Sequence, residues 1–191
     1  SSVGRSGHAV GRLSMTDVQD VHAQLRAINQ SAAFNRWCGL EVKSASAGQV
    51  ELVMPWRAEF GQYSGFLHAG LIGALIDTAC GFAAVTVAGS GVLAAHFSVN
   101  CLRPAQGEHF IARARVVRAG KTQVFTACEL FAVSSQAKKL VATGETLLSV
   151  AKAGTGTGTV TSTPAGINCG ADCSEPYNPG TVVTLSQTAT A

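Results

Sequence analysis

One aspartate stands alone among apolar residues in the middle of the chain. Asp77 is the only carboxylate between Glu59 and Glu108, and it lies in the most apolar segment of the sequence. Because an unpaired carboxylate is costly to bury, an aspartate at such a position is a candidate for acid–base or nucleophilic chemistry. The alternative is a structural aspartate that faces solvent or pairs with an arginine of a neighbouring element.

A second candidate is the segment over residues 62–70, which ends seven residues before Asp77. It contains two glycines and a histidine, His68, at the expected start of the helix that carries Asp77. The N-terminus of a helix presents free backbone N–H groups and partial positive charge, which suit a developing oxyanion. The alternative for His68 is a histidine that only caps the helix or packs in the core.

The spacing of His68 and Asp77 adds a geometric constraint. Nine residues of α-helix turn through about 900° and rise about 13.5 Å, which places the two residues on opposite faces. One chain therefore cannot easily bring both to the same reacting carbonyl. Two antiparallel central helices in a dimer could, with each aspartate next to the N-terminus of the other helix.

A central helix and an antiparallel sheet are predicted to position these residues. A first helix begins at Thr16 or Asp17. A short element over residues 34–38 and a strand over residues 50–54 precede the central helix, which covers residues 66–88 and is apolar almost all round. Turn-sized separators then divide four β-like runs, over 93–103, 109–119, 122–134 and 140–150. A long apolar helix followed by an antiparallel meander indicates an α+β fold with the sheet wrapped over the helix.

Composition narrows the classes of function. The chain has 191 residues, of which 47% are hydrophobic and 13% charged, with a net charge of +3. This net positive charge is too small to indicate nucleic-acid binding, and no aromatic residues interleave with the basic ones. The helix over residues 66–88 is long enough for a bilayer. However, Asp77 at its middle would cost about 2.5–3.5 kcal/mol there, and no Lys or Arg flanks either end. A buried core helix is therefore favoured over a membrane span.

Four short motifs occur in order between residues 33 and 150. They are Gly65-x-x-His68-Ala69-Gly70, Asp77-Thr78-Ala79, Leu102-Arg103-Pro104-Ala105 and Arg118-Ala119-Gly120-Lys121-Thr122. Together they resemble the hotdog-fold thioesterases of the phenylacetate-degradation (PaaI) type. The resemblance implies a hotdog fold, in which an antiparallel sheet wraps around a long central helix. It also implies a cytoplasmic homodimer or dimer of dimers.

The resemblance implies hydrolysis of small or aromatic acyl-CoA thioesters, with no metal and no cofactor besides the coenzyme A of the substrate. Asp77 matches the catalytic acid of the family, which acts as nucleophile or as general base on water. The N–H of Ala69 matches an oxyanion donor, and His68 with Gly70 supports that turn.

Two positions depart from the common pattern of the family. Gln62 stands where many members carry an asparagine that orients substrate or water, and His-Ala-Gly replaces His-Gly-Gly. Both departures indicate a subgroup rather than lost activity. Ala94 stands where some members have a catalytic Ser or Thr, which leaves Asp77 without one possible helper.

The basic residues are candidate contacts for the phosphates of coenzyme A. Arg118 and Lys121 belong to a matched turn in which Gly120 lets the backbone approach, and Arg103 belongs to another motif. The alternative is a solvated strand face. Pocket residues for the acyl group are sought among the aromatic residues Phe34, Trp37, Phe60 and Phe82.

Two other functions stay open at this point. One is a hotdog hydratase or dehydratase that acts on acyl-CoA or acyl-carrier protein. The other is a non-catalytic acyl-CoA-binding module in which Asp77 is structural.

The sequence divides into three parts. Residues 1–14 are rich in Gly, Ser and Arg, and are expected to be a disordered leader or cloning-derived segment. Residues 15–150 form the hotdog domain, whose four cysteines are expected to be buried free thiols. Residues 151–191 are a Thr/Gly-rich tail that resembles one β-repeat of bacterial cell-surface proteins, with two short strands.

The tail carries a second cysteine pattern. Cys169 and Cys173 are expected to close a small disulfide loop, which requires an oxidising compartment and conflicts with a cytoplasmic domain. A fusion, read-through into foreign sequence or a flexible appendage would each explain the conflict.

Overall fold

The computed structural model describes residues 15–88, 91–150, 157–165, 168–169 and 183–190. The chain divides into two units, Ser1–Lys152 and Ala153–Ala191. The described part of the first unit contains three α-helices, which are α1 (Met15–Ser31), α2 (Ala33–Cys38) and α3 (Ala69–Ala88). Gly39 ends α2 with a positive φ of 67°, a conformation that glycine adopts without strain.

Six strands of the first unit form one antiparallel sheet. In chain order they are β1 (Glu41–Ser46), β2 (Gln49–Pro55), β3 (Val92–Cys101), β4 (His109–Ala119), β5 (Gln123–Val133) and β6 (Lys138–Val150). Their order across the sheet is β1-β2-β4-β5-β6-β3. The five strands expected from the sequence are all present, and β1 is additional.

The position of β3 corrects the predicted meander. β4, β5 and β6 follow one another as expected, but β3 pairs with β6 at the edge of the sheet, with Cys101 opposite Ala142. The linker over residues 102–108 is therefore not a hairpin. It is long enough to pass the three strand spacings of about 4.8 Å that separate β3 from β4. An alternating pattern shows which face of a strand is buried, but not which strand lies beside it.

The central helix lies against the inner face of the sheet. α3 contacts all six strands, and its length and composition alone would also allow it to cross a membrane. Its buried residues include Leu75, Ile76 and Ala79, which belong to the main core of the domain. At Gly144 a Cβ would lie 2.7 Å from Ile76 Cγ2 and 2.6 Å from the Ser98 carbonyl oxygen. Glycine thus permits the close approach of α3 to β6.

The thiols of the first unit differ in exposure. Cys38, Cys80 and Cys128 are buried and free, as expected. The expectation is wrong for Cys101, which is exposed because it ends the edge strand β3.

The second unit contains a small antiparallel sheet. Its strands are β7 (Thr157–Thr163), β8 (Asn168–Cys169) and β9 (Thr184–Thr190), in the order β8-β7-β9. The sequence pattern predicts two short tail strands, over residues 156–160 and 179–185. β7 overlaps the first, β9 begins later than the second, and β8 was not expected. Cys173 lies outside the described residues, so the Cys169–Cys173 disulfide stays a prediction. Residues 1–14 lie outside them as well.

Candidate active site

Asp77 lies half-buried near the middle of α3 without a cationic partner. Its Oδ1 atom is buried and has no hydrogen-bond partner among the described residues. The one ion pair within the described ranges joins Arg113 Nε to the Glu51 carboxylate at 2.6 Å. Burial removes water from the Asp77 carboxyl and raises its pKa above the ordinary value. Within the described part of the chain, Asp77 is therefore not paired with an arginine, and one of its two carboxyl oxygens is shielded from solvent.

Asp77 borders a cavity of about 830 Å³ between α1, α3 and the start of β3. Most of the cavity wall is apolar, with Thr78 beside Asp77 and Gln24 of α1 as further polar side chains. The other lining residues are Ile28, Gly81, Phe82, Val85, Gly91, Val92, Leu93, Ala94 and Leu148. An acidic group at the wall of an apolar cavity is the arrangement expected of a binding or catalytic site.

The aromatic residues considered for the pocket separate into two groups. Phe82 lines the cavity. Phe60 is fully buried in the core, and Trp37 packs on it with ring centroids 5.2 Å apart. Phe34 and Trp37 are 46% and 51% exposed and lie outside the cavity wall.

His68 is the N-cap residue of α3. Its carbonyl oxygen accepts hydrogen bonds from the N–H groups of Leu71 and Ile72 at 2.9 and 3.1 Å. Its Nδ1 atom accepts a hydrogen bond from the N–H of Gly70 at 2.9 Å, as the side chain of an N-cap residue does. A Cβ at position 70 would lie only 3.0 Å from Nδ1, so the glycine makes room for the ring. The structure thus shows His68 capping α3, and a further role of this residue in the site stays a prediction.

The N–H of Ala69 remains open at the start of α3. The first four N–H groups of a helix have no partner within the helix. Those of Gly70, Leu71 and Ile72 bond to His68, whereas no acceptor for the Ala69 N–H occurs in the described part of the chain. One donor at the positive end of the helix is therefore available to an anion.

Gln62 is held inside the loop that leads to α3. Its side-chain Oε1 accepts a hydrogen bond from the N–H of Ser64. Its own N–H donates to the Phe66 carbonyl oxygen at 2.8 Å. Gly65 provides the positive φ of 80° that this turn requires.

One chain keeps the two halves of the predicted site apart. The described residues that line the Asp77 cavity do not include Gln62, His68, Ala69 or Gly70. The eight residues from Ala69 to Asp77 span about 12 Å of helix. Within the described ranges, no group of three or more His, Cys, Asp and Glu side chains could hold a metal ion.

The predicted coenzyme A contacts also fall into two places. Arg118, Gly120 and Lys121 lie together and exposed at the turn between β4 and β5. The N–H of Gly120 donates to the Gln123 carbonyl oxygen at 2.8 Å, and a Cβ at Gly120 would lie 3.0 Å from that oxygen. The glycine therefore keeps this turn tight.

Arg103 lies at the opposite end of the sheet. Its N–H donates to the Val141 carbonyl oxygen of β6. Arg118 pairs with Phe125 of β5, which in turn pairs with Leu147 of β6. The six residues of β6 from Val141 to Leu147 correspond to about 20 Å. One chain therefore does not gather Arg103 with Arg118 and Lys121.

Comparison with known proteins identifies the family. A model of the Thioesterase superfamily matches residues 64–137, from the loop before α3 to the start of β6. Human acyl-coenzyme A thioesterase 13 is 30% identical over 134 residues, which are 69% of this chain and 93% of that protein. This chain belongs to the thioesterase superfamily.

Solved structures show the fold of this thioesterase-superfamily chain. A thioesterase family protein from Silicibacter pomeroyi superposes with a TM-score of 0.67 at 31% identity, over 70% of this chain and 99% of that one. The PaaI protein of Escherichia coli superposes with a TM-score of 0.64 at 23% identity, over 71% and 96%. The predicted α+β hotdog fold is confirmed. The superfamily match ends at residue 137, so the resemblance of the tail to a cell-surface repeat gains no support.

Sequence reasoning missed several residues of the cavity of this superfamily member. Gly81 carried a usable signal, because residues four apart share a helix face and Asp77 was already a candidate. Gln24 and Ile28 carried none, because α1 reaches the cavity only through tertiary packing.

Proposed function

We propose that this chain hydrolyses acyl-CoA thioesters to the free acid and CoA, as the PaaI-type resemblance implies. The observation that carries the proposal is that Asp77, whose buried Oδ1 atom has no partner among the described residues, lines a largely apolar cavity. Membership of the thioesterase superfamily supports thioester chemistry. The human relative is named as an acyl-coenzyme A thioesterase, which supports acyl-CoA as the substrate class.

Asp77 serves the reaction in one of two ways. As a general base it takes a proton from water, whose oxygen attacks the carbonyl carbon of the thioester. The C–S bond then breaks, and CoA leaves as a thiolate that takes up a proton. As a nucleophile the carboxylate attacks the same carbon, the C–S bond breaks, and CoA leaves as a thiolate that takes up a proton. Water then hydrolyses the resulting anhydride to the free acid and the Asp77 carboxylate. In both cases the carbonyl oxygen becomes an oxyanion, and one donor such as the Ala69 N–H contributes about 10²–10³-fold.

We infer that two subunits share each site. The 12 Å or so between Ala69 and Asp77 along α3 is too far for one thioester carbonyl. The edge strand β3 exposes apolar side chains, with Leu93 72% and Phe97 50% accessible. An edge strand of this kind is a template for pairing with another chain, which would bring a second α3 close. A homodimer, alone or within a dimer of dimers, then completes the site.

The decisive experiment is CoA release from a panel of acyl-CoA thioesters by the wild type and by Asp77→Asn. Hydrolysis that falls at least about 100-fold in the variant supports the proposal. Hydration of an enoyl-CoA with the thioester preserved would support a hydratase instead. Acyl-CoA binding without turnover would support a non-catalytic module.

The shared site has its own test, based on Ala69→Pro. Proline is well tolerated at the first position of a helix and removes only the N–H that we assign to the oxyanion. Asp77→Asn and Ala69→Pro proteins are assayed alone and after refolding together. A shared site restores about a quarter of the wild-type activity, because half of the dimers are mixed and each has one intact site. A site within one chain restores none.

A further inference from the structure

Among the described residues of one chain, no close contact requires glycine at position 81. A Cβ there would meet only Leu148 Cδ2 of this part of the chain, at an ordinary contact distance of 3.8 Å. This contrasts with Gly144, where a Cβ would lie 2.6 Å from a backbone oxygen. A glycine inside a helix is also less favourable than alanine. Packing within the described part of one chain therefore does not account for the missing side chain.

The cavity beside Asp77 gives a reason for the missing side chain at position 81. Gly81 lies one turn after Asp77, and both line the same cavity, so a side chain at position 81 would project toward its interior. The cavity continues along α3 past Gly81 to Phe82 and Val85. Eight residues of α-helix from Asp77 to Val85 cover about 12 Å. Gly81 stands roughly 6 Å from Asp77, about halfway along.

The part of the cavity wall that α3 forms changes from polar to apolar along the helix. On α3, the polar residues Asp77 and Thr78 lie at one end, and Gly81, Phe82 and Val85 follow with no polar side chain. Leu148 of β6 adds to the apolar part of the wall. A ligand with one polar reacting group and an apolar extension fits this order.

We propose that Gly81 is a specificity-determining residue that admits linear acyl chains of about eight to ten carbons, an inference that rests on the proposed thioesterase function. The thioester carbonyl lies at Asp77, and the chain passes over Gly81 toward Val85. Three bonds of an extended chain span roughly 3.5 Å, so 12 Å accommodates about ten bonds. A bulky side chain at position 81 would block the cavity after about five bonds.

The test is the chain-length profile of kcat/KM from acetyl-CoA to decanoyl-CoA, with phenylacetyl-CoA included. Burial of each methylene is expected to raise the wild-type value about fourfold, the equivalent of about 0.8 kcal/mol, until the cavity is filled. In Gly81→Leu the rise stops near hexanoyl-CoA. The ratio of decanoyl- to butyryl-CoA activity then falls on the order of 100-fold, mainly through KM. Gly73→Ala, on α3 but outside the cavity wall, is the control and keeps the wild-type profile.

Stability is measured in parallel by thermal unfolding. Gly81→Ala is the milder variant if Gly81→Leu does not fold, and it should shorten the optimum chain by a smaller amount. A folded Gly81→Leu protein with the wild-type profile would overturn the proposal. So would a wild-type preference for acetyl- or phenylacetyl-CoA over every longer linear chain.

Binding separates this proposal from the proposed reaction. Calorimetric titration of octanoyl-CoA into Asp77→Asn and into Asp77→Asn/Gly81→Leu requires no turnover. Weaker binding only in the double variant supports the acyl cavity even if the wild type proves inactive. Equal binding in both, with active wild type, removes the role of Gly81 and leaves the thioesterase function in place.

Discussion

The Nδ1 atom of His68 accepts a hydrogen bond from the N–H of Gly70 at 2.9 Å, which closes the first turn of α3 around the intervening Ala69. The same histidine carbonyl accepts the N–H groups of Leu71 and Ile72. The His-Ala-Gly motif therefore satisfies every donor of the first turn except the Ala69 N–H. One residue thus stabilises the helix and isolates the donor that we assign to the oxyanion.

Replacement of His68 tests the cap. In His68→Ala the Gly70 N–H loses its acceptor, so the free energy of unfolding should fall by about 1 kcal/mol. His68→Asn supplies another good N-cap side chain and should retain most of that stability. Urea denaturation measures both. A His68→Ala protein as stable as the wild type would contradict the capping role.

Two glycines of α3 provide a matched pair of substitutions. In Gly70→Ala the new Cβ would lie 3.0 Å from His68 Nδ1, so the ring must move and the cap weakens. We expect a lower melting temperature and a lower kcat. In Gly73→Ala the nearest atom, Phe97 Cε2, lies at 3.5 Å, and the change should stabilise the helix by up to about 1 kcal/mol. Equal effects of the two substitutions would show that the His68 contact is unimportant.

The pKa of Asp77 makes stability depend on pH. Because burial raises this pKa in the folded protein, the native state holds the Asp77 proton more tightly than the unfolded state does. The resulting stabilisation is complete below the ordinary aspartate pKa of about 3.9 and is lost as pH rises through the raised value. Asparagine does not ionise, so the Asp77→Asn protein does not lose stability at this position as the pH rises.

Chemical denaturation at several pH values measures the Asp77 effect. Asp77→Asn should be more stable than the wild type at neutral pH, and the difference should shrink as pH falls toward the ordinary aspartate pKa. A difference that grows on acidification would mean that Asp77 is stabilised as a carboxylate, contrary to its buried and unpartnered Oδ1 atom.

The turn between β4 and β5 is expected to contact the phosphates of coenzyme A. The double variant Arg118→Ala/Lys121→Ala should raise KM for acyl-CoA about tenfold, since charged hydrogen bonds contribute about 1.5–3 kcal/mol each before screening. Acyl-pantetheine lacks those phosphates, so its kcat/KM should not change. A similar loss with both substrates would place the two cations in catalysis or folding instead.

Further arginine variants complete the test of the phosphate contacts. Arg115→Ala, an exposed position on the same strand as Arg118, is the control for a general change of charge. Arg103→Ala, in the same assay, decides whether the arginine at the opposite end of the sheet also contacts CoA.

Much of the local structure could be predicted because its causes act over a few residues. The bounds predicted for β4 match the structure, and the predicted ends of β3, β5 and β6 lie within two residues of the observed ones. This agreement follows because alternation and turn residues are local signals. β1 was missed because only Val42 and Ala45 are buried in it, so it has no regular alternation. Pairing of β3 with β6 had no local signal, since strand pattern does not encode the neighbouring strand.

The candidate site also has one part that the sequence predicts and another that only tertiary packing decides. The sequence by itself determined that Asp77 is an isolated carboxylate in an apolar helix, and that helical spacing separates it from His68 and Ala69. Only the tertiary structure decided that its Oδ1 atom is buried without a partner among the described residues, and that Asp77 lines the same cavity as Gly81. That outcome depends on α1, β3 and β6 closing around α3. Contacts between elements distant in the chain arise from packing, which no local pattern of residues specifies.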